Sequence, residues 1–352
     1  MTSSIPLDTL AQTETPSSRL ARNLPPELVL AAVAVSFSAP VIRWAAAPPL
    51  VTGAGRTLLA FLIALVPAVR ALGRKGPEAD EPIAGKAPWK ALNLTRRDLL
   101  WASVAALALA VHFAAWIAGL DATSVASAVV LVNAHPLLVL GAEALWLRRR
   151  VRRREWGGAV LALVGVLVLA GGDFSLSGGR ALLGDALSFL GAVASAAYVL
   201  AGARVRQRVP NPIYVAFLYA VCAFLLSGGA LLFREPWPSL GHPVPAWTAF
   251  LILAVVPTTL GHTLVNRVLG YVRAGFVSVA LLAEPVLAPV WAGVWFHEMP
   301  TWPEAIGGIL AVVGMAVVLW PSGKGQGSDP GKRERPREQD PLRGPIPGPV
   351  AD

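Results

Sequence analysis

Ten apolar runs, each close to the length of a bilayer crossing, dominate this chain and leave it few folds to choose from. A hydrocarbon core of about 30 Å takes roughly 20 residues of helix. The runs lie at Leu28–Ala46, Leu50–Leu72, Leu99–Gly119, Val125–Leu147, Trp156–Ala170, Leu182–Ala203, Ile213–Phe233, Trp247–Leu269, Ala274–Phe296 and Ala305–Leu319. Lipid offers backbone amides no partner, so each run must be helical, and interior Gly and Pro must pack on other helices or line a cavity. An all-α membrane protein of ten transmembrane helices is the expectation. Only 14% of residues are charged, where a soluble domain carries about 25%.

The net charge of +9 would suggest a polyanion partner on a soluble surface, but here placement gives it another meaning. With the amino terminus inside, all Lys and Arg except Arg43, Arg180, Arg234 and the intramembrane Arg56 fall in inside loops or tails. That asymmetry predicts a cell-membrane protein with both termini cytoplasmic. The run Arg148 to Arg154 then faces anionic lipid headgroups, not nucleic acid. Trp44, Trp101, Trp146, Trp156, Trp247, Trp295, Trp302 and Trp320 stand near run ends, as an interfacial belt would. Residues 1–24 lack a signal-peptide pattern, residues 322–352 are rich in Pro, Gly and charge, and both read as disordered tails.

Sliding the sequence on itself by 149 positions pairs Leu120–Val168 with Leu269–Val317 without a gap and with 13 identities. These include Pro136 with Pro285, Trp146 with Trp295, Glu155 with Glu304, Gly158 with Gly307 and Gly165 with Gly314. The offset spans five runs, an odd number, so the copies cross the membrane in opposite senses. Two inverted five-helix repeats, residues 25–172 and 173–321, are expected. That architecture belongs to transporters, with the solute site near the midplane between halves.

The pattern GLDATSVASAVVLVNAHPLLVLGAEALWL with EWGGAVLALVGVLVL, echoed by LGYVRAGFVSVALLAEPVLAPVWAGVWFHEMPTWPEAIGGILAVVGMAVVL, resembles the drug/metabolite transporter superfamily with two EamA-type domains. The resemblance covers Leu28 to Trp320. Its specific parts are the Pro of the fourth and ninth runs, Glu298, the Gly-x6-Gly of the fifth and tenth, Gly184-Asp185 and Arg56. It implies secondary transport of small molecules, often export. One departure stands out: Arg149 occupies the position matching Glu298.

Polar side chains at membrane depth cost roughly 2.5–3.5 kcal/mol each on insertion scales and so need a reason. His135 and Glu284 each precede a helix proline and align in the repeat near the midplane. A proton-coupling or substrate-amine role suits the pair; so does interhelical hydrogen bonding. Pro136 and Pro285 should free the carbonyls of Val132 and Leu281 to face a polar cavity. His262 and Asn266 lie four apart on one helix face, and His112 and Trp116 repeat that spacing, placing all four on the same cavity or, equally, between helices as polar glue. Arg56 calls for an internal salt bridge or an anionic solute. Glu143 should pair with the arginine run, and Asp185 should open the sixth helix as a dipole acid.

No cofactor or metal is implied. HEMPT lacks the second His of a zinc-protease helix, and the single Cys222 excludes thiolate clusters. No nucleotide-binding loop is present, so a secondary mechanism is expected: alternating access for a small polar metabolite or drug-like solute, outward, with protons as the coupling ion. The rival readings are an intramembrane enzyme, for which no G-x-S-x-G or H-E-x-x-H is found, and a non-transporting sensor or scaffold.

Overall fold

A computed structural model describes residues 25–73, 94–123, 125–169, 179–239, 245–296 and 302–320, and every regular element among them is a helix. In order they are α1 (Pro26–Ser36), α2 (Ser38–Ala45), α3 (Pro49–Gly73), α4 (Arg96–Ala122), α5 (Val125–Val132), α6 (His135–Leu145), α7 (Arg153–Leu169), α8 (Gly179–Arg206), α9 (Asn211–Leu232), α10 (Pro245–Leu253), a π-helical stretch (Ala254–His262), α11 (Thr263–Val268), α12 (Ala274–Ala280), α13 (Ala283–Phe296) and α14 (Trp302–Leu319).

Among the described residues, six helical stretches are long and apolar enough to cross a bilayer: Pro26–Ala45, Pro49–Gly73, Arg96–Ala122, Gly179–Arg206, Asn211–Leu232 and Ala246–Val268. Val130–Leu145, Ala274–Leu287 and Ala305–Leu319 are apolar but shorter, so length alone does not yield the expected count of ten. Proline explains two of the differences. The fourth run breaks at Asn133-Ala134 and the ninth at Leu281-Leu282, so Pro136 and Pro285 stand in the first turn of a new helix. There the missing N–H costs nothing.

Small residues let the helices approach closely. A Cβ on Gly165 would lie 2.3 Å from the Ala311 nitrogen, and one on Gly314 equally close to that of Ala162. The glycines that the repeat places at matching positions of α7 and α14 are therefore the contact between them. Gly119 and Gly184 do the same for α4 and α8, where a Cβ on Gly119 would meet Ser188 Oγ at 2.3 Å. The buried interior is rich in Ala (Ala54, Ala60, Ala105, Ala106, Ala192, Ala254), whereas Leu62, Val66, Val69, Phe224 and Ile309 point outward. An apolar exterior over a small-residue interior is the membrane inversion of soluble packing.

Local caps fix several ends. Thr95 and Asp98 form a reciprocal capping box at the start of α4. At the start of α3, Glu235 accepts from the Leu50 and Val51 amides at 2.9 and 3.1 Å. Asp185 does not open its helix as expected: α8 begins at Gly179, and the carboxylate instead accepts from Thr123 Oγ1 at 2.8 Å. The tails 1–24 and 322–352, with Glu298 and His297, lie outside the described residues.

Candidate functional site

A small cavity of about 40 Å³ lies inside the bundle. Its walls are Val35 and Ser38 near the α1–α2 junction, His112, Phe113 and Trp116 on α4, Val132, Asn133 and His135 at the α5–α6 break, and Ser195 on α8. His262 and Val265 come from the π–α11 junction, and Leu281 and Glu284 from the α12–α13 break. Each helix break thus delivers the residue before its proline to one space. His135 comes from the first repeat and Glu284 from the second.

The rings form a connected cluster. His112 stacks on Trp116 at 5.9 Å, and Phe113 meets His262 edge-on at 5.4 Å. His112 Nδ1 lies 2.9 Å from the Gly191 carbonyl, and His135 Nδ1 lies 3.2 Å from that of Val132. A carbonyl only accepts, so both histidines donate through Nδ1 and turn Nε2 away from that bond. His135 Nε2, His262 Nδ1 and Trp116 Nε1 are buried without a hydrogen-bond partner among the described residues. Buried polar groups ordinarily have one.

The proline carbonyls do not stand open as expected. That of Val132 is taken by His135 Nδ1, and that of Leu281 accepts the Glu284 amide at 3.0 Å. Each break re-satisfies its own backbone with the residue that faces the cavity, which removes the cost of exposing the peptide.

Arg56 is fully buried, with its guanidinium 4.2 Å over the Phe113 ring. The expected internal salt bridge is not formed: among the described residues no carboxylate lies within ion-pair distance. Nε donates to Thr258 Oγ1 at 3.0 Å, and Nη1 and Nη2 have no hydrogen-bond partner among the described residues. The π-helical stretch around Pro257 sets this contact. Proline removes a ladder bond, and Thr258 Oγ1 bonds back to the Leu253 carbonyl at 2.7 Å. Tyr219 then donates to the Thr258 carbonyl at 2.9 Å.

Of the nine residues singled out, His112, Trp116, His135, His262 and Glu284 line the cavity. Pro136 and Pro285 shape its walls without lining it. Arg56 stands behind Phe113. Asn266 lies one turn past His262, fully buried, its Nδ2 donating to the His262 carbonyl at 2.8 Å. Ser38, Asn133 and Ser195 line the cavity unforeseen. Asn133, two residues before His135 at a Pro-induced break, carried a readable signal. Ser38 and Ser195 carried none, since small hydroxyls are common helix glue.

The described helices form an apolar-jacketed bundle around a small cavity with polar groups in its walls. The chain belongs to the EamA-like transporter family, whose pattern matches residues 28–171 and 182–320. It is 24% identical over 204 residues to the uncharacterized transporter YdfC of Bacillus subtilis, covering 56% of this chain and 63% of that protein. It is 23% identical over 221 residues to an uncharacterized transporter of Archaeoglobus fulgidus, covering 61% of this chain and 75% of the other. A probable amino-acid metabolite efflux pump of Salmonella typhimurium is 28% identical over 200 residues, 54% of this chain and 66% of the pump. The chain therefore spans slightly less than two thirds of two of these relatives. One crystal structure superposes with a TM-score of 0.65 at 21% identity, covering 83% of this chain and 95% of the other.

Proposed function

We propose that this protein is a ten-span secondary transporter of two inverted repeats, residues 25–172 and 173–321, in the cell membrane with both termini cytoplasmic. It exports a small polar metabolite by alternating access, coupled to protons through His135 and Glu284. The observation that carries this reading is the cavity lined from both repeats, with His135 and Glu284 at matching positions of the duplication. A space of about 40 Å³ holds only a few waters. A solute enters only if the walls part, and two inverted halves can part at either end.

The name of the Salmonella relative supports an amino-acid-like solute, and so does the chemistry of the walls. Glu284 suits an ammonium. Trp116 Nε1 and, behind Phe113, the unpaired Arg56 nitrogens suit a carboxylate.

The test is flux in liposomes containing the purified protein. Zwitterionic amino acids should move faster than their decarboxylated amines, and an imposed pH gradient should change the rate. Glu284→Gln should abolish that pH response. If flux and its pH response survive unchanged in Glu284→Gln, the proton role is wrong; if no small solute moves in any gradient, the transport reading fails.

A further inference from the structure

A second, larger cavity of about 230 Å³ lies where α6 ends, α8 ends and α11 passes into α12. It shares three walls with the first. From His135 to Glu143 along α6, and from Ser195 to Arg204 along α8, is roughly 12–14 Å of helix; from Val265 to Leu269 is about 6 Å. The two spaces are therefore stacked along the same helices, the second toward the arginine-rich end. It opens to the surface beside the exposed Arg204 and Gln207.

Its one acid is already engaged. Glu143, with a side chain 0% exposed, accepts from Arg273 Nη2 at 2.8 Å and from the Gly275 amide at 3.4 Å, and lies 3.6 Å from Arg149 Nη1. Arg273 Nη1 also reaches Glu155 at 3.2 Å. The arginine run was expected to hold Glu143, but its shorter bond goes to the other repeat. What the walls have left to offer is donors: Arg204, which lies 4.6 Å over Trp101 with no carboxylate in ion-pair range among the described residues, Gln207, and the outer edge of Arg149. Such a set complements a carboxylate or phosphate.

The bridge also ties α6 to α12, the two short helices whose other ends present His135 and lead to Glu284. Opening the first cavity toward this end requires them to separate. The repeat places Ala292 opposite Glu143 and Ser124 opposite Arg273, so the second copy of the pattern carries no such pair. The bridge is a feature of one end.

We propose that the second cavity is an anion-binding antechamber on the solute's route, and that the Glu143–Arg273 bridge between repeats bars its inner end. Its place on a route rests on the transport reading above; the anion site and the bar rest on geometry.

Two thiol reporters test it in full-length protein in phosphatidylcholine vesicles, with Cys222 buried and silent. Ala203→Cys sits in the second cavity and Ser195→Cys in the first. Inorganic phosphate should slow labelling of the 203 thiol by an impermeant maleimide at least threefold, and adding Arg204→Gln with Arg149→Gln should abolish that protection. Glu143→Gln with Arg273→Gln, a double change that removes both charges of the 2.8 Å bond and leaves Glu155 the Arg152 amide, should speed labelling of the 195 thiol at least threefold. Absence of phosphate protection overturns the anion site. Protection seen only when phosphatidylglycerol is added assigns the anion to a lipid headgroup and overturns the antechamber. An unchanged rate at 195 in the double variant overturns the bar. Labelling requires no flux, so a protein that moves no solute yet shows these responses fails only the transport reading.

Discussion

Single side chains in this protein fall into those the fold has satisfied and those it has left with capacity. Thr258 belongs to the first kind: among the described residues its hydroxyl holds the one hydrogen bond of the buried Arg56 guanidinium. Thr258→Val keeps the shape and removes that acceptor, and should destabilise by about 1.5–3 kcal/mol, the range for a hydrogen bond to a charged group. Labelling of Cys222 during heating reads this out, because its thiol donates to the Ala106 carbonyl in the core and reacts only on unfolding. Trp116 belongs to the second kind. Trp116→Phe keeps a ring beside His112 and removes an N–H with no protein partner. Its thermal midpoint should hold while the apparent affinity for solute falls severalfold, and a loss of stability without loss of affinity would make Trp116 structural. His135, Glu284, His112 and His262 were legible as candidates because a polar residue in an apolar run is costly, and the structure places all four on one cavity. The state of Arg56 was not, because a sequence shows that a charge needs a partner without showing which one it has.

Helices here are positioned by what they lack. On α7, Gly165 meets the Ala311 backbone, whereas the exposed Gly157 has nothing within 4 Å of a added Cβ. Gly165→Ala should therefore break the α7–α14 crossing and cost about 3 kcal/mol, at the upper end of overpacking. Gly157→Ala should instead stabilise by about 0.5–1 kcal/mol through helix propensity. The pair of melting curves, moving in opposite directions, checks the crossing. The Gly-x6-Gly spacing in both copies was visible in the sequence, but that the two copies pack on one another was not. Identical spacing gives each helix the same groove and leaves the partner unspecified. The helix breaks show the same division: the prolines were visible as points where helix bonding fails, whereas the breaks before α6 and α13, and the filling of the carbonyls by His135 and the Glu284 amide, were not.

The described residues form a helical bundle with an apolar coat that the family pattern matches twice, and its orientation should follow the charge. Cysteines placed in the tails, Ser3→Cys and Ser328→Cys, should both resist an impermeant maleimide on intact cells and react after permeabilisation; labelling of either on intact cells would refute the inside placement of the basic loops. The sequence by itself determined that the chain is helical and membrane-embedded, that its two halves share a pattern at an offset of 149 residues, and which polar residues interrupt the apolar runs. Hydrophobic length, backbone satisfaction and repeat identity are properties of the chain read one residue after another. Only the tertiary structure decided that five of the nine candidate residues share one small cavity, that Asn266 sits a turn beyond it, and that Glu143 bonds across to Arg273 of the other repeat. Those outcomes depend on which helices cross and at what depth. Small-residue contacts and two proline breaks set that, and the contacts join segments far apart in the chain, Gly165 to Ala311 and Gly119 to Ser188 among them.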